Sequence, residues 1–597
     1  MQRRFVLKAA GLSIISLAHP ASFARAARRA RTRVRPGQPG WPSSAAWDQL
    51  KRAVGGRLQH LAAPFAACAP APDSPACSEA LAALKNPFAV GDQPALTQTS
   101  GWAGAWTSQP SAYAVAASST ADVVAAVNFA RTHNLRLVVK GGGHSYQGTS
   151  NAPDALLVWT RQMKDIQLHD AFVAQGCKTA QAAVSIGAGA MWIDAYDAVT
   201  TRAGRYVQGG GCTTVGVAGL VQSGGFGSFS KAYGTAAAGL IEAEVVTADG
   251  SVCIANACTN PELFWALKGG GGGSMGVVTR LTLRTRDLPE TIGSASLQVQ
   301  AATDMAFKAL IAKVMAFYAT ALANPHWGEQ IGFDADNTMK VSMVFQGLNK
   351  EQVQQTWEPF LAWLNTQPEY TVAKPFSAQP MPARYTWSAA FFKKYAPAVI
   401  SADPRADAPP HHFSWAGDVT DTGWFVHGYH STWLPATLLA DDRQAALVDA
   451  LFESTRHWTV GLHFNKGLAG AAQPEIDAAR DTAMNPAVLD AFALAIIAGG
   501  SRAQFSGMPG QAERADKMQQ RAAAIARATD ALRQVVPSPG SYVSESDYFL
   551  KNWQQAFWGS NYARLARAKQ QYDPDGLFFV HHGVGSEHWI DDGFTRT

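Results

Sequence analysis

"KGGGHSYQGTS", residues 140–150, places a histidine directly behind three glycines. Glycine lacks a Cβ and reaches positive φ freely, so such a run makes a loop whose backbone N–H groups can approach a ligand closely. A bulky, nucleophilic imidazole at its mouth, His144, needs a reason beyond turn formation. Upstream, "AYAVAA" and "LRLVVK" read as strands. Between them, "STADVVAAVNFARTHN" opens on a Ser/Thr cap and continues with helical apolar spacing. Downstream, "AAVSIGAGA" is a strand ending in glycines and "WIDAYDAVTTRAG" a helix closed by Gly204. "LIEAEVVTADGSVCIA" is a hairpin turning at Asp249–Gly250, "NPELFWALKGGGGG" a helix, and "GVVTRLTLRT" a strand that ends the unit near Arg286.

Glycine-rich loops at 141–143, 209–211, 224–227 and 269–273 fall at the ends of these elements. Each can bring backbone amides close to a large anionic ligand. Two of them carry a nucleophile, His144 and Cys212. Other patterns fail on context. Gly271–Gly276 satisfies G-x-G-x-x-G, but a helix precedes it and a strand follows, the reverse of a dinucleotide fingerprint. Ser228–Lys231 matches S-x-x-K without its companion S-D-N and K-T-G elements. There is no Walker A lysine. The pairs His411/His412, His427/His430 and His581/His582 have no H-E-x-x-H or Cys/His spacing around them, so they read as satisfied polar residues and no metal site is expected.

The chain has 597 residues, which implies two or three domains, and a formal charge of +5. That charge is concentrated at the start: Arg3, Arg4, Lys8 and Arg25 lie in the first 26 residues with no acid, leaving 46 bases against 45 acids. A near-neutral body argues against nucleic-acid binding. Residues 1–26 resemble a twin-arginine export signal, and their apolar stretch, broken by Ser13, Ser16 and His19, is too poor for a membrane anchor. The expected location is periplasmic or secreted. Six cysteines fit an oxidising compartment. Cys68 and Cys77 can close a small loop; Cys253 and Cys258 either do likewise or are buried thiols.

"RLVVKGGGHSYQGTS", "VSIGAGAMWIDAYDAV", "GGGCTTVGVAGLVQSGGFG", "IEAEVVTADG" and "NPELFWALKGGGGGSMGVVTRLTL" resemble the FAD-binding domain of the vanillyl-alcohol oxidase superfamily. The similarity is strongest to its berberine bridge enzyme-like oxidases, which include oligosaccharide oxidases, and "NYARLARAKQQYDPDGLFF" resembles the closing segment of that branch. The resemblance implies an α+β fold with a two-part FAD-binding domain and a substrate domain built as an antiparallel sheet covered by helices. It divides the chain into the signal (1–26), an N-terminal wrapping segment (27–108), the FAD-binding domain (109–286), the substrate domain (287–535) and a C-terminal segment returning to the FAD domain (536–597).

The resemblance further implies FAD bonded twice, through His144 and Cys212. The expected cofactor contacts are Gly141, Gly142, Gly143, His144, Ser145, Tyr146, Gly211, Cys212, Val215, Gly216, Gly219, Ser223, Gly224, Gly227 and Val277. Tyr542 is the expected base, with Glu545 or a substrate-domain residue depressing its pKa; His463 and Lys466 are weaker candidates. Val215 is implied as a residue beside the face where oxygen reacts. The chain departs from the family pattern at Thr213 (proline there), Ala238 (an acid) and Ser544 (asparagine). The implied reaction is hydride transfer from an alcohol, sugar or phenol to flavin, with oxygen reduced to hydrogen peroxide. A dehydrogenase with another acceptor, and a catalytically silent FAD- or sugar-binding member, stay open. Trp387, Trp415, Trp424 and Trp433 can stack on substrate rings or serve as core.

Overall fold

A computed structural model describes residues 32–510 and 513–597. The expected export signal, residues 1–26, lies outside these residues. The architecture is α+β, with three principal sheets. In the first, strands Leu58–His60, Tyr113–Ala116, Leu156–Trp159 and Leu137–Lys140 lie side by side, the last three running parallel. Parallel neighbours need a crossover. The helix Thr120–Thr132 supplies it, started by a capping box in which Ser119 accepts from the Asp122 N–H and Asp122 bonds back.

The second sheet is antiparallel, in the order Val252–Asn256, Leu240–Val246, Val277–Asp287, Ala180–Gly187 and Ile166–Val173. The turn at Asp249–Gly250 closes its hairpin, with Gly250 at φ +85°. The segment after Met191 begins as the helix Trp192–Tyr196 and widens into a π-helix, Asp197–Arg202, before Gly204 at φ +66° ends it.

The third sheet belongs to the middle of the chain and has nine strands. From Gly293 to Ala301 burial alternates residue by residue, as a half-covered sheet requires. Helices Asp304–Phe317, Lys350–Asn365, Asp441–Thr455 and Ala515–Arg533 lay apolar faces into one large core with it. Among the described residues, one helical run, Asp304–Leu322, is long and apolar enough to cross a membrane; it packs Phe307, Leu310, Val314 and Tyr318 into this core.

The segment 27–108 does more than wrap. Leu58–His60 edges the first sheet, while Thr99–Trp102 and Trp106–Thr107 extend the nine-stranded one, the former parallel to Trp424–Pro435. These strands of two to four residues are too short to show a period in sequence. At the other end, the helices Trp553–Trp558 and Tyr562–Tyr572 pack into the core of the second sheet. Lys569 ties this segment down: its Nζ donates to the Ser274 and Phe578 carbonyls and to Asp573, at 2.7, 2.7 and 2.6 Å.

Cys68 and Cys77 are bonded. Cys258 is not paired with Cys253, its neighbour on the hairpin; it is bonded to Cys177, 81 residues away, and Cys253 is free. A peptide map under non-reducing conditions should show cross-links 68–77 and 177–258 and alkylated Cys253. A 253–258 cross-link would contradict this arrangement.

Candidate active site

The loop that carries His144 meets the loop that carries Cys212, backbone to backbone. A Cβ on Gly142 would lie 2.7 Å from the Gly216 nitrogen, and one on Gly216 would lie 2.8 Å from the Gly142 nitrogen. Only glycine at both positions permits that approach. The first loop is anchored by Lys140, whose buried Nζ donates to the carbonyls of Pro94 and Leu96 and to Asn151. Burial lowers its pKa to about 7. The second loop pairs with the start of the π-containing segment: Trp192 and Ile193 donate to the carbonyls of Val215 and Thr213, and Val217 donates to that of Ala190.

His144 Nε2 lies 3.0 Å from the Thr214 hydroxyl, and the ring also hydrogen-bonds the Thr214 backbone. Burial lowers the imidazole pKa to about 4, against a smaller upward effect of the Thr214 backbone, so the ring is neutral and one of its nitrogens carries a lone pair. Cys212 is exposed, yet enough protein surrounds it for burial to act on its thiol. Burial first, and then the Asp418 carboxylate, hold its thiol pKa well above the ordinary value. Two bonds steady the cysteine loop: Tyr196 Oη donates to Gly210 O at 2.6 Å and Trp415 Nε1 to Gly211 O at 3.1 Å.

The glycines divide by what surrounds them. A Cβ at Gly211 or Gly219 would meet nothing within 4 Å, and one at Gly272 only atoms at 3.9 Å or beyond, so these line open space. Gly224 and Gly227 are filled from behind, by Met484 and by the Gly209 carbonyl, and serve packing. Gly141 faces Ala188 O at 3.3 Å, and Gly143 accepts a bond from the Gln98 N–H. Ser145 is used inside its own turn, accepting from Gln147 N, Thr149 N and Thr149 Oγ1. Ser223 caps the helix Val217–Gln222 and borders a small cavity with Tyr542. Val277 is fully buried in the core shared with the first sheet. Val215 is half-buried against the core of the second sheet.

The site is rich in acids. Glu545 is bonded by Lys466 Nζ at 2.6 Å through both carboxylate oxygens. Glu329, Asp418 and Asp421 are held above the usual carboxylate range, mainly by burial. Tyr146 stacks on Tyr429 at 4.6 Å, and both phenols are pushed up by burial and by Glu545. Tyr542 is buried, and its oxygen accepts the Gly225 N–H at 3.2 Å. Its pKa is raised, by burial first and by the Glu545 charge second; Ser544 and the Gly225 N–H lower it only in part. The expected depression by Glu545 is therefore reversed, because a carboxylate destabilises a nearby phenolate. Lys466, whose charge would lower the phenol, is already paired with Glu545. His463 is neutral, its pKa driven well down by burial.

Of the tryptophans, Trp433 is core beside Phe226 and Tyr542, Trp387 stacks on Tyr196 at 4.0 Å, Trp415 holds the cysteine loop, and Trp424 meets Tyr146 edge-on. Lys231 of the S-x-x-K match is buried, donating to the carbonyls of Phe464, Gly467 and Phe492. It holds the fold together at a domain boundary.

An FAD binding domain family matches residues 110–256, and the berberine and berberine-like family matches residues 541–585. The chain is 30% identical to the FAD-linked oxidoreductase easE of Trichophyton verrucosum, an alignment covering 98% of this chain and 95% of that protein. The crystal structure of the VAO-type flavoprotein MtVAO615 from Myceliophthora thermophila superposes with a TM-score of 0.77 at 26% identity, covering 95% of this chain and 100% of that one. Glucooligosaccharide oxidase from Acremonium strictum, a protein with a 6-S-cysteinyl, 8α-N1-histidyl FAD, shares the fold at 20% identity and a TM-score of 0.61, covering 90% of this chain and 99% of that one. The chain belongs to the vanillyl-alcohol oxidase-type flavoproteins, in their berberine bridge enzyme-like group, and is an FAD-linked oxidoreductase.

Gly142→Ala should force the two anchoring loops apart, since the atoms it meets on the Gly216 side are backbone. Thermal unfolding should show a loss of about 1–3 kcal/mol, and flavin absorbance per chain should fall. Wild-type values of both would contradict the close approach.

Proposed function

We propose that this protein is an oxidase that holds FAD by two covalent bonds, at His144 and Cys212, and oxidises an alcohol or carbohydrate-type substrate while oxygen is reduced to hydrogen peroxide. The observation that carries the reading is the meeting of the two loops at Gly142 and Gly216. It sets a neutral imidazole and an accessible thiol beside the open space that Gly211 and Gly219 face. The likeness to a protein whose flavin has cysteinyl and histidyl bonds supports the same pairing here. Bound FAD supplies the hydride acceptor and the reactivity towards oxygen.

The chain's residues do the rest. The acidic, aromatic wall of Tyr146, Tyr429 and Trp424 offers faces for a ring to stack on. Tyr542 receives the substrate hydroxyl proton, its oxygen aimed by the Gly225 N–H. The Lys466–Glu545 pair fixes the segment on which Tyr542 sits. Export through the twin-arginine pathway is the proposed location, and the two disulfides support an oxidising compartment.

Because its pKa is raised, Tyr542 is protonated at neutral pH, and the ionised fraction grows about tenfold per pH unit. The rate of flavin reduction by substrate should therefore climb from pH 6 to about 9 without a plateau, and Tyr542→Phe should lower it by about 10². A plateau below pH 7, or an undiminished rate in the variant, would move the base elsewhere.

Stopped-flow mixing of reduced enzyme with oxygen tests the acceptor. Reoxidation should be fast and release one peroxide per flavin, and Val215→Leu should slow it several-fold while leaving reduction unchanged, since close-packed sites respond to one methylene. Slow reoxidation in the wild type would point to a dehydrogenase. No reduction by any sugar, alcohol or phenol would point to a silent binder.

A further inference from the structure

His411 and His412 turn both of their Nε2 atoms to a single carboxylate oxygen, Asp194 Oδ1, at 3.0 and 2.9 Å. The three atoms lie within 4.8 Å of one another. Tetrahedral bonds of about 2.0–2.1 Å put neighbouring ligand atoms about 3.3 Å apart, close to the two short edges seen here. Asp194 Oδ2 is otherwise engaged, accepting the Met191 N–H at 3.2 Å with Arg161 at 4.0 Å, so Oδ1 is the oxygen left to bind.

The far side of each ring is equally telling. His411 Nδ1 faces Asp197 at 3.8 Å, and His412 Nδ1 faces Asp403 at 4.0 Å. A neutral imidazole has one donor and one acceptor nitrogen, so a ring set between two carboxylates turns a lone pair to one of them. Protonating both rings would remove that clash but place two cations with centroids 4.9 Å apart beside Arg161. A single metal ion on the Nε2 side puts each ring proton on Nδ1, the side of Asp197 and Asp403, although His412 Nδ1 has no hydrogen-bond partner there.

We propose that Asp194, His411 and His412 bind one divalent transition cation, of the zinc or iron(II) class that two imidazoles and a carboxylate suit. The side chains of Asp194, His411 and His412 are 14%, 26% and 4% exposed, which leaves an edge for a water ligand. The ion is a clip. It joins the helix Trp192–Tyr196 of the FAD domain to the 411–418 stretch, and both flank the cysteine loop: Ile193 donates to Thr213 O, and Trp415 to Gly211 O. Asp194 precedes His411 by 217 residues, so no sequence spacing announces the site.

The test is metal content of the tag-free, flavin-loaded protein, desalted after incubation with zinc and read by elemental mass spectrometry, with iron read in the same run. The wild type should hold about one zinc or iron per chain. His411→Ala and His412→Ala should each lose it, and Asp197→Asn should bind zinc roughly tenfold more weakly. Cys253→Ser should keep it. His411 is the most exposed ligand, so retained flavin absorbance in His411→Ala shows that the loss is not unfolding. Content far below one metal per chain in the wild type, or unchanged content in either histidine variant, would overturn the proposal.

Discussion

The contact between Gly142 and Gly216 is the constraint on which the site depends. Two backbones from different sheets approach until neither residue has room for a Cβ. One backbone continues into His144 and the other follows Cys212, so the approach decides where both nucleophiles stand. Lys140 secures one side, with its ammonium saturated by two carbonyls and an amide oxygen. The pairing of residues 213–217 with 190–193 secures the other. A buried ammonium left short of partners would cost several kcal/mol, so these anchors are stiff.

Around that contact the protein tolerates unusual electrostatics. The carboxylates Glu329, Asp418, Asp421 and Glu545 border a recess with Lys466 as their close cationic partner, and that lysine is committed to Glu545. Burial raises the pKa of the Tyr542 phenol, the Cys212 thiol and the Glu329, Asp418 and Asp421 carboxyls alike. Tyr542 packs in one core with Phe226 and Trp433, and the next residue, Val543, also packs against the core of the second sheet, so the two cores meet at the start of segment 541–585.

Much of this was legible in the sequence, because the signals are local. The capping box at Ser119–Asp122, the Asp249–Gly250 turn and the apolar runs of the strands mark their elements without reference to anything distant. The histidine and cysteine were visible because each sits in its glycine run. What escaped depends on partners far along the chain. Thr214 orients His144, Gly225 aims Tyr542, and Lys466 neutralises Glu545 across 79 residues. Cys258 prefers Cys177 over a neighbour five residues away, since the strand geometry and not the spacing sets which sulfurs meet. The glycine loops also divided in a way composition cannot show: Gly211 and Gly219 face open space, whereas Gly224 and Gly227 are packed against side chains and backbone.

The central claim is that the two loops meet on one flavin ring. Proteolytic digestion of the native, flavin-loaded protein, followed by mass spectrometry of the yellow fraction, tests it most directly. The account predicts a single species in which FAD bridges the peptide containing His144 to the peptide containing Cys212. Recovery of both peptides unmodified, with free FAD in the supernatant, would contradict it.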